Sequence, residues 1–239
     1  MLLTTGQGCR RYSILRHEGI IGRLPLAICM VSSALADDWP QWRGKGRNGI
    51  WSESGILDNF AAKGLAAAWR TSINAGFAGP AVSGGRVFVT DFKASTGMKG
   101  TERALALDEK SGRILWTREW PADYKGIGYG TGPRATPTVD GDRVYIVGGT
   151  GRLLCLNAGA GDVIWQIDYV KDYHMEMPGW GVTSAALIEG NRVIAIVGGQ
   201  PDAKGQAHPS SCIMLADAIR ISCLKTSSQN NSLPTLGHG

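Results

Sequence analysis

The chain has 239 residues, 43% of them hydrophobic, and a formal net charge of +5 at pH 7. Four arginines and one glutamate lie in the first 36 residues, so three of the five net positive charges belong to that segment. Because the rest is nearly neutral and has no cluster of lysine and arginine, the charge argues against nucleic-acid binding. The 34 glycines and eight tryptophans indicate many tight turns and large packing anchors, which is typical of an all-β fold.

The first 36 residues have the pattern of a secretory signal. Arginines precede an apolar run at 24–31, and the small residues at 32–36 form a cleavage site that ends at Ala36. We therefore predict a periplasmic or extracellular location after cleavage near Ala36, the alternative being that the run forms a buried first helix. No later stretch approaches the roughly 20 apolar residues that a transmembrane helix needs, so no membrane span is predicted.

Two kinds of element recur along the rest of the chain. The first is a pair of short apolar strands joined by a turn with glycine and arginine, and it occurs at 79–89, 136–147 and 185–196. The second is an apolar strand followed by a glycine-containing turn and a tryptophan, and it occurs at 104–116 and 153–165. Arg143 and Arg192 are 49 residues apart, and so are Trp116 and Trp165. Two landmarks with one spacing indicate a structural repeat.

Each repeat offers four strands. In the second repeat they are predicted near 135–140, 143–148, 151–157 and 162–168. Asp140 and Gly141 favour a two-residue hairpin turn, because glycine accepts the positive φ that such turns need. A four-stranded antiparallel unit of this length is a propeller blade. We therefore predict an all-β fold, a partial β-propeller of about three four-stranded antiparallel blades; a β-sandwich is the alternative, but it does not require a tryptophan at a fixed position in the repeat.

The tryptophan-bearing element resembles the tryptophan-docking motif of PQQ-like β-propellers. The second copy keeps the glycine and the tryptophan, but has Cys155, Asn157 and Ala160 where the motif prefers alanine, aspartate and threonine. The opening at 38–44, continuing to 47–49, is similar to the start of secreted bacterial members, and the resemblance extends over about 37–218. It implies a structural role in docking one blade on the next for Ala106, Asp108, Ser111, Gly112, Trp116, Gly161 and Trp165.

The resemblance implies two branches of function. One is the quinoprotein dehydrogenases, which use pyrroloquinoline quinone (PQQ) and calcium to oxidise alcohols or sugars, and the other is the BamB-like assembly proteins, which bind partner proteins and no quinone. This chain has no adjacent cysteines, which the dehydrogenases typically show, and no nucleophile elbow. We nominate no catalytic residue and no cofactor, and we expect a non-catalytic, exported interaction or assembly scaffold with unidentified protein partners. The alternative is a truncated PQQ-dependent dehydrogenase.

The cysteines and histidines indicate neither a disulfide framework nor a metal centre. Two of the five cysteines leave with the predicted signal, and Cys155, Cys212 and Cys223 have no C-x-x-C spacing. His174 lies beside two methionines and a glutamate, a set that suits copper, but one short cluster without further ligands predicts an exposed connector. The four histidines are too scattered to nominate a general base, and no metal ligand is predicted.

Two connectors between blades are candidates for binding a ligand or partner. The glycine-rich segment 126–132 is followed by Pro133 and a strand, whereas a dinucleotide site requires a helix there, so we predict a flexible inter-blade loop. The second connector, 173–181, contains a histidine and a Trp-Gly pair. The candidate ligand-facing residues are Gly128, Tyr129, Gly130, His174 and Trp180.

The repeat stops abruptly in its third copy. After Ala218 no tryptophan follows at the expected place, so 219–239 is predicted to be a non-repeat tail, arising from a frameshift or from natural disorder. The predicted organisation is a signal peptide at 1–36, PQQ-like repeats at 37–218 and this tail. A ring of about three blades is not closable by this chain alone, and open blade edges favour self-association.

Overall fold

The computed structural model describes residues 37–53, 59–60, 62, 64–198, 209–215 and 218–224. The predicted signal peptide and the end of the predicted tail lie outside the described residues. The chain divides into two compact units, one formed by residues 1–37 and 52–66 and the other by residues 38–51 and 67–239. All the strands described below belong to the second unit.

Twelve strands in the described part of the chain form three four-stranded antiparallel sheets, each in the strand order of a propeller blade. The first blade contains β1 (Ala81–Ser83), β2 (Arg86–Thr96), β3 (Lys99–Asp108) and β4 (Ile114–Asp123). The second contains β5 (Thr138–Asp140), β6 (Arg143–Val147), β7 (Arg152–Asn157) and β8 (Val163–Asp168). The third contains β9 (Leu187–Glu189), β10 (Arg192–Gly198), β11 (Pro209–Leu215) and β12 (Ala218–Leu224).

The predicted fold class is confirmed. The four strands of the second blade lie within three residues of their predicted bounds, and Gly141 takes the positive φ, +57°, that the predicted hairpin turn requires. Over the described residues the blades do not close into a ring, as predicted for a partial propeller. Strand β12 (Ala218–Leu224) pairs with β11 within the segment predicted as the tail, while the predicted domain bounds themselves stay a prediction.

The second blade is buried on both faces, because it lies between the other two. Along β6, Val144 and Ile146 pack with side chains of the first blade, whereas Tyr145 and Val147 pack with those of the third. This alternation follows from the two-residue period of a strand. Cys155 on β7 lies in the same core as Tyr145, and burial raises the pKa of its thiol to about 11. It is therefore a small core residue, as its strand pattern suggests.

One short helix, α1 (Tyr169–Tyr173), begins the connector from the second blade to the third. The Asp168 side chain accepts hydrogen bonds from the backbone N–H groups of Val170 and Lys171 and so caps the first turn. The helix ends at His174, which has a φ of +53° and whose backbone N–H donates to the Tyr169 carbonyl. The cap fixes where the chain leaves β8 and turns towards the third blade.

Residues 38–49, which we call the N-terminal strap, lie along the first strands of all three blades. Trp39 exchanges two backbone hydrogen bonds of 2.9 Å with Val82 on β1. The Pro40 carbonyl accepts from the Val139 N–H on β5 at 2.8 Å, and Arg47 donates to the Ile188 carbonyl on β9 at 2.7 Å. The strap therefore pairs edges that would otherwise present free backbone groups, and it joins the three blades.

A buried ion pair stabilises the middle of the first blade. Asp91 on β2 and Arg103 on β3 are cross-strand partners, and the guanidinium donates to both carboxylate oxygens at 2.7 and 2.6 Å. The backbone and side chain of Asn74 also donate to Asp91, which has no exposed surface. Burial by itself would raise the pKa of Asp91, but the hydrogen bonds from Arg103 and Asn74 outweigh it and hold the pKa below its usual value.

Replacing Asp91 by asparagine is expected to lower the free energy of unfolding by about 2–4 kcal/mol at neutral pH, because Arg103 loses its buried partner. A depressed folded-state pKa contributes stability above the unfolded value of 3.8, and this contribution is lost as pH falls through the folded pKa. D91N should therefore have a shallower loss of stability below about pH 4. Urea unfolding across a pH series measures this, with exposed D142N as the control; equal acid slopes in all three proteins would contradict the prediction.

Candidate functional site

The tryptophan-docking residues form contacts between consecutive blades. Trp116 on β4 of the first blade lies against Gly161 in the β7–β8 turn of the second, and its indole Nε1 donates to the Ala158 carbonyl at 3.0 Å. Arg118, two residues later on β4, donates to the Gly161 carbonyl at 2.8 Å. Gly161 has a φ of +75°, and a Cβ there would lie 2.6 Å from Cδ2 of Trp116. The close approach of ring and backbone therefore requires glycine.

The same contact recurs one step earlier in the chain. Trp69, which precedes the first blade, lies against Gly112 in the β3–β4 turn, and its indole donates to the Glu109 carbonyl at 2.8 Å. Thr71 donates to the Gly112 carbonyl at 2.6 Å, in the position that Arg118 has at the next boundary. Trp69 and Trp116 therefore each contact the turn of the following blade. The corresponding turn for Trp165, at 216–217, lies outside the described residues.

The remaining docking residues shape the turns. The Asp108 carboxylate accepts from the backbone N–H and the hydroxyl of Ser111 at 2.8 and 2.6 Å, and these hydrogen bonds hold the pKa of Asp108 below its usual value. In the second blade Asn157 replaces the aspartate and accepts from the backbone N–H groups at 159 and 160, each at 2.9 Å. Ala106 on β3 is fully buried opposite Trp116. These groups form a structural network within each turn.

The candidate ligand-facing residues lie at the other end of the sheets. In an antiparallel blade the β2–β3 turn and the connector to the next blade leave from one end, and the docking turns lie at the opposite end. At the connector end, Phe77, Tyr129 and Trp180 form a chain of ring contacts, with centroid distances of 6.0 Å from Phe77 to Tyr129 and 5.4 Å from Tyr129 to Trp180. The three residues are 52%, 73% and 62% exposed. We call this set the aromatic cluster.

Arg134 organises the loop that carries Tyr129. Its guanidinium lies 5.2 Å from the centre of the Phe77 ring and donates to the carbonyls of Gly128, Gly130 and Gly132 at 2.6–3.1 Å. These bonds hold the 126–132 segment around one side chain. Tyr129 itself has a φ of +66°, an uncommon conformation for a residue other than glycine and one that is often found at functional sites.

The structure brings four of the five candidate ligand-facing residues together. A backbone hydrogen bond of 2.7 Å from Gly128 to the Gly179 carbonyl joins the two connectors and places Tyr129 and Gly130 next to Trp180. No hydrogen bond or ring contact in the described residues joins His174 to this group. No sequence pattern indicates Phe77 or Arg134, because neither belongs to a motif. The only local signal is that both lie next to the glycines of the connectors.

A cavity of about 610 Å³ lies beside the aromatic cluster, between the N-terminal strap and the segments that lead into β5 and β9. Arg134 lines the cavity and also contacts the aromatic cluster, since its guanidinium lies over the Phe77 ring. No sequence pattern predicts this cavity, because the strap reaches it only through tertiary contacts. The polar side chains that line it include Gln41, Arg43, Arg47, Arg134, Thr136 and Thr183.

The calcium ion that the resemblance implies for the dehydrogenase branch needs a carboxylate-rich set of ligands, which the described residues do not bring together. Calcium takes six to eight oxygen ligands, several of them carboxylates. Among the residues that the structure describes, no group of three or more His, Cys, Asp or Glu side chains could hold a metal ion. We therefore derive no catalytic step through quinone. In the same part of the chain, no helix is long and apolar enough to cross a membrane.

The repeated four-stranded blades and their tryptophan contacts define a PQQ-like repeat β-propeller. A family model described as outer membrane protein assembly factor BamB matches residues 54–203, which is more than half of the chain. The chain therefore belongs to this family, and its predicted membership is confirmed. A search of the curated proteins finds no match.

The comparison with solved structures finds similarity to alcohol dehydrogenases and to BamB. A quinohemoprotein alcohol dehydrogenase from Comamonas testosteroni has 21% identity and a TM-score of 0.53, over 77% of this chain and 26% of that chain. BamB from Moraxella catarrhalis has 17% identity and a TM-score of 0.44, over 68% of this chain and 44% of that chain. The alcohol dehydrogenase ADHIIG from Pseudomonas putida HK5 has 20% identity and a TM-score of 0.44, over 64% of this chain and 21% of that chain. The chain spans less than half the length of each, and the first likeness shows a shared fold.

Proposed function

We propose that this protein is an exported, non-catalytic scaffold that binds partner proteins at the connector end of its blades. The observation that supports this most directly is the aromatic cluster, in which three large rings from three separate segments contact one another and are more than half exposed. Exposed apolar patches of this kind mark interaction surfaces, and tyrosine, tryptophan and arginine dominate the binding energy at such surfaces. The BamB family description, which names an assembly factor, agrees with this role.

The aromatic cluster is held in place before any partner binds. The hydrogen bond between Gly128 and Gly179 and the three bonds from Arg134 restrict the two connectors. Aromatic rings have few rotatable bonds and bury about 150–250 Å² each, so a pre-ordered cluster loses little conformational entropy on binding. The geometry therefore favours recognition of apolar or aromatic side chains of another protein.

The proposed location is the periplasm or the extracellular space. The predicted signal at 1–36 supports export, and the matching family is described as an outer membrane protein assembly factor. The partner is proposed to be a protein of the same compartment, bound through side chains that cover the aromatic cluster.

Site-specific photo-crosslinking in cells that export the protein tests this role. A benzophenone side chain at Tyr129 or Trp180 is expected to give a discrete protein adduct, and one at Val163, an exposed position near the β7–β8 docking turn, is not. Replacing Phe77 by alanine should reduce the adduct from position 129 by at least about threefold, because the neighbouring ring of the interface is lost. Equal adducts from all positions, or none from 129 and 180, would contradict the proposal.

Titration with PQQ and Ca²⁺ separates the scaffold from the dehydrogenase alternative. The scaffold proposal expects no saturable change in quinone absorbance or tryptophan fluorescence at micromolar concentrations. Saturable binding that is lost on replacing Trp180 by alanine would instead assign the connector end to a quinone and overturn the non-catalytic role.

A further inference from the structure

The side chains that line the cavity beside the aromatic cluster carry an excess of positive charge. Three arginines, Arg43, Arg47 and Arg134, line its wall, and none of the described lining residues is acidic. Within the described part of the chain, neither Arg43 nor Arg134 has a carboxylate within 4.0 Å, and Arg47 has only Glu189, at 3.6 Å, outside the wall. Three positive charges around one cavity create a field that attracts an anionic ligand.

Arg43 and Arg134 keep hydrogen-bond donors available for such a ligand, whereas Arg47 already donates to Gln41 and Ile188. A guanidinium has five N–H donors, and a carboxylate can accept two of them in parallel. Arg43 uses one donor on the Asn48 carbonyl at 3.2 Å, and Arg134 donates only to backbone carbonyls. Carbonyl partners fix the positions of these side chains without neutralising their charge. The wall of the cavity therefore stays positive.

Hydroxyl groups also line the cavity, and two of its arginines have an uncommon backbone conformation. Thr136, Thr183 and Ser184 line the same wall, and hydroxyls can donate to a carboxylate or to a peptide carbonyl. Arg43 and Arg47 have positive φ values of 64° and 54°. Side chains held on such backbone are characteristic of ligand sites, because the surrounding structure must maintain the conformation.

We infer that this cavity binds an acidic peptide segment of the partner protein, with its carboxylates on the three arginines and its apolar side chains on the aromatic cluster. The inference rests on the proposed function and specifies the partner's chemistry. Arg134 connects the cavity to the aromatic cluster, because this residue lines the wall and its guanidinium lies over Phe77. A free inorganic anion would contact only the arginines, whereas a peptide would cover both surfaces. About 610 Å³ accommodates a short peptide segment.

The test uses the full chain and a short fluorescein-labelled peptide rich in glutamate with one phenylalanine, followed by fluorescence anisotropy. Saturable binding is expected, and the same peptide with glutamine for glutamate should bind at least about tenfold more weakly. Raising the salt from about 0.05 to 0.5 M should weaken binding, since screening acts on charge pairs near the surface. R43Q should reduce affinity by about fivefold, and R113Q, on the β3–β4 turn, should leave it unchanged.

A conservative variant and a competition experiment test the inference further. R43K preserves the charge but not the two-pronged donor, so it should fall between wild type and R43Q. Equal affinity of the two peptides, or of wild type and R43Q, would overturn the inference. Competition by free glutarate as strong as by unlabelled peptide would also overturn it, because the cavity would then be a small-carboxylate site. If the benzophenone at position 129 still gives a protein adduct but the peptide does not bind, only this inference is wrong. If there is neither an adduct nor peptide binding, the proposed function is wrong too.

Discussion

Replacing Gly161 by alanine is expected to lower the free energy of unfolding by about 3 kcal/mol, most of it through the Trp116 ring. Part of the loss comes from the backbone, since a φ of +75° is unfavourable by about 1 kcal/mol for any residue with a Cβ. The larger part is steric, because the new Cβ would lie 2.6 Å from Cδ2 of Trp116 and must displace the indole. Displacement also weakens the hydrogen bond to Ala158.

The two contributions can be separated with a matched glycine. Gly141 has a φ of +57°, and nothing lies within 4 Å of a Cβ built there, so G141A should show the backbone contribution alone. In a W116A background the indole is absent, and G161A should then cost no more than G141A. Urea unfolding of the four variants gives the coupling energy. If G161A and G141A are equally destabilising in the wild-type background, the ring contact is not what requires glycine at 161.

The sequence predicts the blades, but it does not predict which turn each docking tryptophan contacts. The spacing of Trp116 and Trp165 predicts the blades, because each tryptophan marks a fixed place in a repeated unit. The same spacing does not say that Trp116 contacts Gly161 of the next blade rather than the glycine of its own turn, Gly112. That pairing is a tertiary contact, and Trp69 on Gly112 repeats it without any preceding blade in the described residues.

For a related reason, local sequence patterns do not predict the aromatic cluster or the cavity. Phe77, Tyr129 and Trp180 are about 50 residues apart in the chain and meet only because consecutive connectors leave the same end of neighbouring blades. The 126–132 segment was predicted as a flexible loop from its glycines. In the structure the three carbonyl bonds from Arg134 hold it, and a glycine-rich composition gives no sign of such a central donor.

Glu102 was also missed, although its position carries a signal. It lies on β3 with no exposed surface, at a place where alternation would put an apolar side chain. Its two carboxylate oxygens accept from the Trp120 indole at 2.7 Å and the Tyr124 hydroxyl at 2.6 Å. The carboxyl group also lies against Gly148 of the second blade, where the nearby backbone N–H groups of Gly149 and Thr150 act to lower its pKa. The carboxyl group therefore links the first two blades.

Replacing Glu102 by alanine is expected to lower the free energy of unfolding by about 4 kcal/mol, because buried donors from both blades lose their acceptor. E102Q keeps the shape and one acceptor oxygen but turns an NH₂ group towards a neighbouring donor, so about half that loss is expected. Both losses should exceed that of E176Q, a control on the exposed connector. A loss below about 1 kcal/mol for E102A in urea unfolding would show that water replaces the carboxyl group.

The same network has a pH dependence opposite in sign to that of Asp91. Burial raises the pKa of Glu102 above 4.5, against the hydrogen bonds from Tyr124 and Trp120, which act to lower it. A raised folded-state pKa contributes stability that is fully present below the unfolded value and is lost as pH rises through the folded value. The difference in unfolding free energy between wild type and E102Q should therefore shrink from pH 4.5 upwards. A difference that grows with pH would mean that the surrounding donors outweigh burial and that the carboxylate is the form the two blades hold between them.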